Sequence, residues 1–243
     1  MPNRAAGSRT IVRLSRIATS DTTTWLPQSP HHNLTASTTI SKACAGRIFT
    51  SGTNYNCSGR VEVKVLESNN CFVVVIDVQG NLAKVVADSE FANDNVRKLI
   101  EGSLELGLPV FLTVQAPEKI GNTTETIRAL LPEHHEYPRT TFSIWKDEAL
   151  RVAILQTGKK QALLCGFESH ICLYQSAIDL QKNGFDVWMV ADAVSSRALV
   201  NKDIALAELR AEGVHLTNVE TALFALLRDS RHPSFKTISN LIR

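Results

Sequence analysis

The sequence predicts an α/β fold, a parallel sheet with helices on both faces. Three observations carry that expectation. Short apolar runs recur from residue 71 onward, at Phe72–Ile76, Val110–Val114, Ala162–Cys165 and Val187–Ala191. They are too short for helices and apolar at nearly every position, as strands buried on both faces are. Stretches with apolar residues at helical spacing separate them, and Gly, Pro or Asp follows the runs. Strands alternating with helices imply right-handed crossovers, and ligand sites in such sheets lie beyond the C-terminal strand ends.

In chain order, residues 1–65 are rich in Ser and Thr and show no sustained apolar period, so they read as a disordered extension outside the core. Arg9, Arg13 and Arg16 share one helical face, with Ile11, Leu14 and Ala18 opposite. An Arg- and Ser-rich, acid-poor start is the composition of an organelle transit peptide. The expected location is mitochondrial, with plastid or cytoplasm as alternatives. A folded domain is expected over 68–243. Phe72–Ile76 is its first strand, ending at Asp77-Val78-Gln79. Phe91, Val96, Leu99 and Ile100 give a helical stripe, and Gly107-Leu108-Pro109 turns the chain into Val110–Val114. Thr123–Leu131 reads as a helix stopped by Pro132, and Glu136–Arg139 as a short strand. Asp147–Gln156 is a helix, Ala162–Cys165 a strand and Ile171–Lys182 a helix. Val187–Ala191 is a strand ending at Asp192. Ile204–Arg210 is a helix, Val214–Thr217 a short strand, and helices follow over Thr221–Arg228 and Phe235–Ile242.

Composition narrows the function. The chain has 243 residues, 44% apolar and 21% charged, enough for one core. Its net charge of +2 hides an asymmetry: residues 1–60 hold seven Lys/Arg against one acid, Asp21, while the remainder is mildly acidic. No nucleic-acid surface is expected from that. No apolar run approaches the ~18 residues of a membrane span. The five cysteines form no C-x-x-C pair and no zinc spacing, and their odd number suggests a reducing compartment. The sequons at Asn33, Asn56 and Asn122 read as chance matches. His134 and His135 lack carboxylates at a ligating spacing and read as a solvated pair, so no metal is expected, and no organic cofactor.

The informative stretch is Gln161–Ser176, QALLCGFESHICLYQS. A strand ends at Gly166, polar residues follow, and Ile171, Tyr174, Ala177 and Ile178 mark a helix closed at Gly184. Cys172 thus falls in the first turn of a helix, where unpaired N–H groups and the dipole favour a thiolate and depress its pKa. The plain alternative is a small buried hydrophobe, which is how Cys165 reads. Asp77 lies just past another strand, as a site carboxylate or a loop-starting Asp. No G-x-G-x-x-G follows the first strand, which disfavours a flavodoxin-like cofactor domain.

At these residues the sequence resembles the isochorismatase-like cysteine hydrolase superfamily. The resemblance runs over roughly residues 71–243 and rests on VIDVQGNLA (75–83), CGFESHICLYQSAIDL (165–180), VADAVSSR (190–197), VETALFALLRD (219–229) and HPSFKTISNLIR (232–243). It implies a three-layer, doubly wound, six-stranded parallel sheet and an Asp–Lys–Cys triad, with Asp77 as the aspartate and Cys172 as the nucleophile. It also implies a cis peptide at Phe167–Glu168 that aims backbone N–H groups at an oxyanion. Gln79, Gln115 and Phe142 are expected to border the substrate. The departure is Arg139, which stands where the family has Lys. Arginine can pair with Asp77 but does not readily give up a proton; Lys119 is a conceivable substitute. The resemblance implies a hydrolase of a small-molecule amide C–N or related bond, without cofactor, acting as a homo-oligomer. The alternative is a non-catalytic interaction protein on the same fold, because of Arg139.

Overall fold

Period-two alternation in the central strands builds two apolar cores at once. The computed structural model describes residues 64–133 and 135–243. In β1 (Cys71–Ile76), Cys71, Val73 and Val75 face one core while Phe72, Val74 and Ile76 face the other. Its parallel neighbours are β2 (Val110–Gln115) and β4 (Gln161–Phe167); beyond them lie β3 (Glu136–Arg139) on one side and β5 (Asp186–Ser195) and β6 (His215–Thr217) on the other. The sheet is parallel throughout, in the order β3-β2-β1-β4-β5-β6. From β1 the chain winds outward to β3, returns to β4 beside β1, and winds outward the other way. The strand order therefore reverses between β1 and β4, where a doubly wound sheet opens a crevice.

The helices are α1 (Leu82–Val85), α2 (Ser89–Glu105), α3 (Pro117–Ile120), α4 (Glu125–Leu130), α5 (Glu148–Gln156), α6 (Tyr174–Lys182), α7 (Leu199–Ala211), α8 (Val219–Leu227) and α9 (Phe235–Ile242). Val96, Leu99 and Ile100 of α2 join α8 and α9 over the first core; Leu150 and Ile154 of α5, Ala177 and Leu180 of α6, and Leu209 of α7 cover the second. Asp147 caps α5 through the Leu150 N–H at 2.9 Å, and Asn218 caps α8 through the Thr221 N–H at 2.7 Å.

The expected doubly wound parallel sheet is present, with several shifts. β4 runs on through Gly166 and Phe167, which pair with Val194 and Ser195 after a register shift. β5 accordingly continues past Asp192 instead of ending there. Gly166 has φ +113°, and a Cβ there would stand 1.9 Å from the Ile76 carbonyl oxygen, so only glycine lets β4 close on β1 at this level. Residues 169–173 form a π-helical turn ahead of α6, not regular α-helix. The turns α1 and α3 arise from segments without a helical apolar period. At the other end of the sheet, Leu66 is buried, Gln161 Nε2 donates to the Val65 carbonyl at 2.7 Å, and Arg228 Nη2 donates to the Leu66 carbonyl at 2.9 Å. Residues 1–63, which hold nearly all of the stretch expected to be a disordered extension or transit peptide, and His134 lie outside the described residues.

Candidate active site

Three strand ends deliver three side chains to the crevice. Asp77 directly follows β1 with φ +55°, a left-handed conformation that Asp tolerates better than most residues, and its N–H donates to the Thr113 carbonyl at 3.1 Å. Arg139 is the last residue of β3, in register with Gln115 on β2. Cys172 lies in the π turn after β4. Ser176 Oγ donates to the Cys172 carbonyl at 2.5 Å and accepts from the Ile144 N–H at 3.1 Å, which fixes that turn against the 144–146 segment.

Arg139 and Asp77 are both buried and form an ion pair, Nη2 to Oδ2 at 2.7 Å. The other fork nitrogen, Nη1, donates to Gln115 Oε1 at 2.6 Å and to the Thr141 carbonyl, and lies 3.9 Å from Cys172 Sγ. Asp77 Oδ1 is buried without a hydrogen-bond partner. The Cys172 thiol and the Thr113 hydroxyl lie close enough to lower the Asp77 pKa, yet neither makes a well-formed hydrogen bond to that oxygen.

Burial raises the Asp77 pKa above the ordinary carboxylate value, and the Arg139 charge offsets only part of this. The Cys172 thiol is pushed up to about 12, first by burial and then by the Asp77 charge, against the pull of Arg139. The expectation of a depressed thiolate is therefore reversed: Cys172 is only 6% exposed and has a carboxylate beside it. At neutral pH it is a protonated thiol, and beside it Asp77, paired with Arg139 through Oδ2, keeps Oδ1 free to accept. That arrangement suits proton transfer at the moment of attack, not a preformed thiolate.

The remaining expected residues divide. Phe167–Glu168 is cis. The Phe167 side chain packs in the core; Glu168 is buried and accepts from Arg197 Nε at 3.0 Å and from its N–H at 3.1 Å. Gln79 is fully buried and spends its amide on backbone, donating to the Gln115 and Gly121 carbonyls at 2.9 and 2.6 Å and accepting from the Gln115 N–H at 2.7 Å. It braces two strand ends and is not placed to border a substrate. Gln115 is turned to Arg139 and, through Nε2, to the Thr140 carbonyl at 2.9 Å. Phe142 is 49% exposed, next to Thr141. Lys119 is exposed on α3 and does not stand in for the missing lysine. His135 stacks edge-on with Tyr137 at 4.5 Å, and no metal-binding group of His, Cys, Asp or Glu occurs among the described residues. The Thr141 carbonyl, Ser176 and the Glu168–Arg197 pair escaped sequence reasoning, because backbone acceptors and contacts between distant segments leave no local signal.

The Isochorismatase domain family matches residues 71–221. The chain belongs to the isochorismatase family. Over 147 residues it is 36% identical to isochorismatase domain-containing protein 1 of Salmo salar, a match covering 60% of this chain and 52% of that protein, or about half of that relative's length. Over 178 residues it is 32% identical to isochorismatase domain-containing protein 2 of Danio rerio, covering 73% of this chain and 89% of that one. Among solved structures it is similar to a MAR1 ribonuclease from Caenorhabditis elegans, with TM-score 0.70, 28% identity and coverage of 74% and 92%. It is also similar to YcaC from Pseudomonas aeruginosa, solved with hexane-2,5-diol and covalent acrylamide, with TM-score 0.67, 27% identity and coverage of 74% and 96%. The isochorismatase-family hydrolase fold is thus present in a chain that carries Arg139 at the end of β3.

Proposed function

We propose that this chain is a cysteine-nucleophile hydrolase of a small amide or a related C–N compound. The observation that carries the reading is the buried Asp77 Oδ1, an acceptor with no partner in a site that it shares with a protonated Cys172 thiol. In the first half-reaction Sγ attacks the substrate carbonyl carbon as Asp77 takes the thiol proton. The oxyanion is held by backbone N–H groups of the turn around Cys172. The intermediate collapses as the C–N bond breaks, and the amine leaves with the proton from Asp77. In the second, Asp77 takes a proton from water, the hydroxide displaces sulfur from the thioester, and the thiol is re-formed. Arg139 keeps its proton throughout, pairs with Asp77 and offsets negative charge near sulfur. Because one fork nitrogen pairs with Asp77 and the other lies 3.9 Å from sulfur, Arg139 favours the catalytic reading over the non-catalytic alternative.

The test is turnover of a panel of small primary amides by wild type and Cys172→Ala, with mass spectrometry for an acyl-enzyme. A substrate cleaved by wild type alone, with an adduct on Cys172, supports the reading. Equal turnover by the two proteins would sink it. Assembly into a homo-oligomer is proposed as well, since Leu199, Val200 and Ile204 of α7 expose large apolar side chains; a single-chain mass by light scattering would overturn that part.

A further inference from the structure

We propose that Gln115 positions the Arg139 guanidinium beside the Cys172 thiol, and so allows arginine to serve where the site would otherwise use lysine. An ammonium presents its donors from one nitrogen and can rotate among acceptors, whereas a guanidinium is a rigid planar fork. Once Nη2 is committed to Asp77 Oδ2, the direction of Nη1 is set by whatever accepts its hydrogens. Arg139 Nε is buried without a partner, so the plane is held only at its two ends. At the Nη1 end the holders are Gln115 Oε1 at 2.6 Å and the Thr141 carbonyl, and the same nitrogen lies 3.9 Å from Sγ.

Gln115 is itself well anchored. Its Nε2 donates to the Thr140 carbonyl at 2.9 Å, its N–H donates to Gln79 Oε1 at 2.7 Å, and its carbonyl accepts from Gln79 Nε2 at 2.9 Å. It faces Arg139 in register across parallel strands, and the next N–H, of Ala116, donates to the Arg139 carbonyl at 2.9 Å. Gln79, just past β1, and the last residues of β2 and β3 thus form one chain of bonds, Gln79 to Gln115 to Arg139, ending at the thiol. The acceptor is also neutral. A carboxylate at 115 would compete with Asp77 for the guanidinium and add negative charge near sulfur. Gln115 therefore acts through Arg139 and is a positioning residue.

For turnover this inference rests on the hydrolase reading, but its geometry is tested without substrate. The probe is iodoacetamide, with the rate at Cys172 followed by peptide mass on the full chain from pH 7 to 10. Gln115→Met, isosteric but without the acceptor, is expected to slow alkylation about tenfold at pH 9, the change that goes with a one-unit rise in thiol pKa. In an Arg139→Lys background the same substitution is expected to change the rate by less than about twofold, because a rotatable ammonium does not need the bracket. If Gln115→Met does not fold, Gln115→Asn, whose shorter amide cannot reach Nη1, carries the same expectation. An unmoved rate in the Gln115 variant, or an equal fall in both backgrounds, overturns the proposal. So does a Gln115→Met variant that raises KM for a cleaved amide while its alkylation profile matches wild type, which would assign Gln115 to substrate binding. Failure of the hydrolase reading looks different: Cys172→Ala then turns over substrate like wild type, whatever the alkylation shows.

Discussion

Cys165 lies in β4 and Cys172 in the turn that follows, and both are buried, free thiols with raised pKa values. Their surroundings separate them. Cys165 is wholly enclosed, its Sγ is 3.7 Å from the Val74 carbonyl, and burial alone raises its pKa. Cys172 is slightly open and stands beside Asp77 and Arg139. A low resting pKa does not mark the candidate nucleophile in this site; a base within reach of its proton does. Reactivity here belongs to the pair, and thiol exposure alone would have ranked the two cysteines close together.

The largest effect that could break this comparison is expected from Asp77→Asn. Removing the base should cut turnover by about 10²–10⁴-fold. It also strands a buried guanidinium, a loss of about 3–5 kcal/mol in stability. With the neighbouring negative charge gone, the thiol pKa falls, so iodoacetamide should label Cys172 faster than in wild type. Turnover and labelling then move in opposite directions, and a parallel fall in both would mean that Asp77 acts only by packing.

Gly166→Ala tests the segment that joins the two thiols. A methyl group there meets the Ile76 carbonyl at 1.9 Å in a left-handed backbone conformation. A loss of about 1–3 kcal/mol is expected from the overpacking, read as a lowered denaturation midpoint. An unchanged midpoint would show that β4 relaxes away from β1 at no cost.

Alkaline pH sharpens the comparison by treating the thiols alike. Cys71 and Cys172 are pushed up to about 12 and Cys165 is raised further, in each case chiefly by burial. Below the unfolded thiol pKa near 9 both states hold the proton and pH has no leverage. Above it the unfolded chain releases protons that the folded chain keeps, so stability falls by up to about 1.4 kcal/mol per pH unit for each thiol until the folded value is reached. Chemical denaturation at pH 9 and 10.5 should show this loss, and Cys165→Ala should make it shallower. A loss of equal slope in that variant would count against the buried thiols as its source.

The smallest change is expected from Arg139→Lys. If this position only holds charge beside Asp77 and sulfur, turnover should stay within about tenfold of wild type, whereas Arg139→Ala should cost several kcal/mol in the barrier, as the loss of an electrostatic group does. A large gain with lysine would mean that the site needs a proton donor which arginine cannot be.

Much of the fold was legible because it is written in local patterns. Phe72–Ile76 and Val110–Val114 could hardly be anything but strands, and Glu136–Arg139 emerged as β3 despite Pro138, which an edge strand tolerates. What stayed hidden depends on neighbours distant in sequence. β5 passes Asp192 because that carboxylate is drawn to the Val219 N–H at 3.0 Å, which a polar residue read in isolation does not reveal. The π turn at 169–173 and the register shift beside Gly166 arise from fitting β4 against β1 and β5. At the candidate site the three principal residues could be named from strand ends and resemblance. The direction of the thiol pKa could not, since it depends on how deeply Cys172 is buried and how near Asp77 stands. Gln115 is expected from the resemblance to border the substrate, but its acceptor faces Arg139, and that orientation exists only once β2 and β3 are in register.

The anchoring of residues 64–67 has a practical meaning for anyone modifying this chain. Val65 and Leu66 are fastened where β4 begins, while the thiol lies past its far end. A strand of that length separates the two by about 20 Å. A cut or an affinity handle placed ahead of Lys64 keeps the residues that make these bonds. A cut a few residues further on removes Leu66, unplugs the base of the sheet and should yield a protein that aggregates when it is expressed.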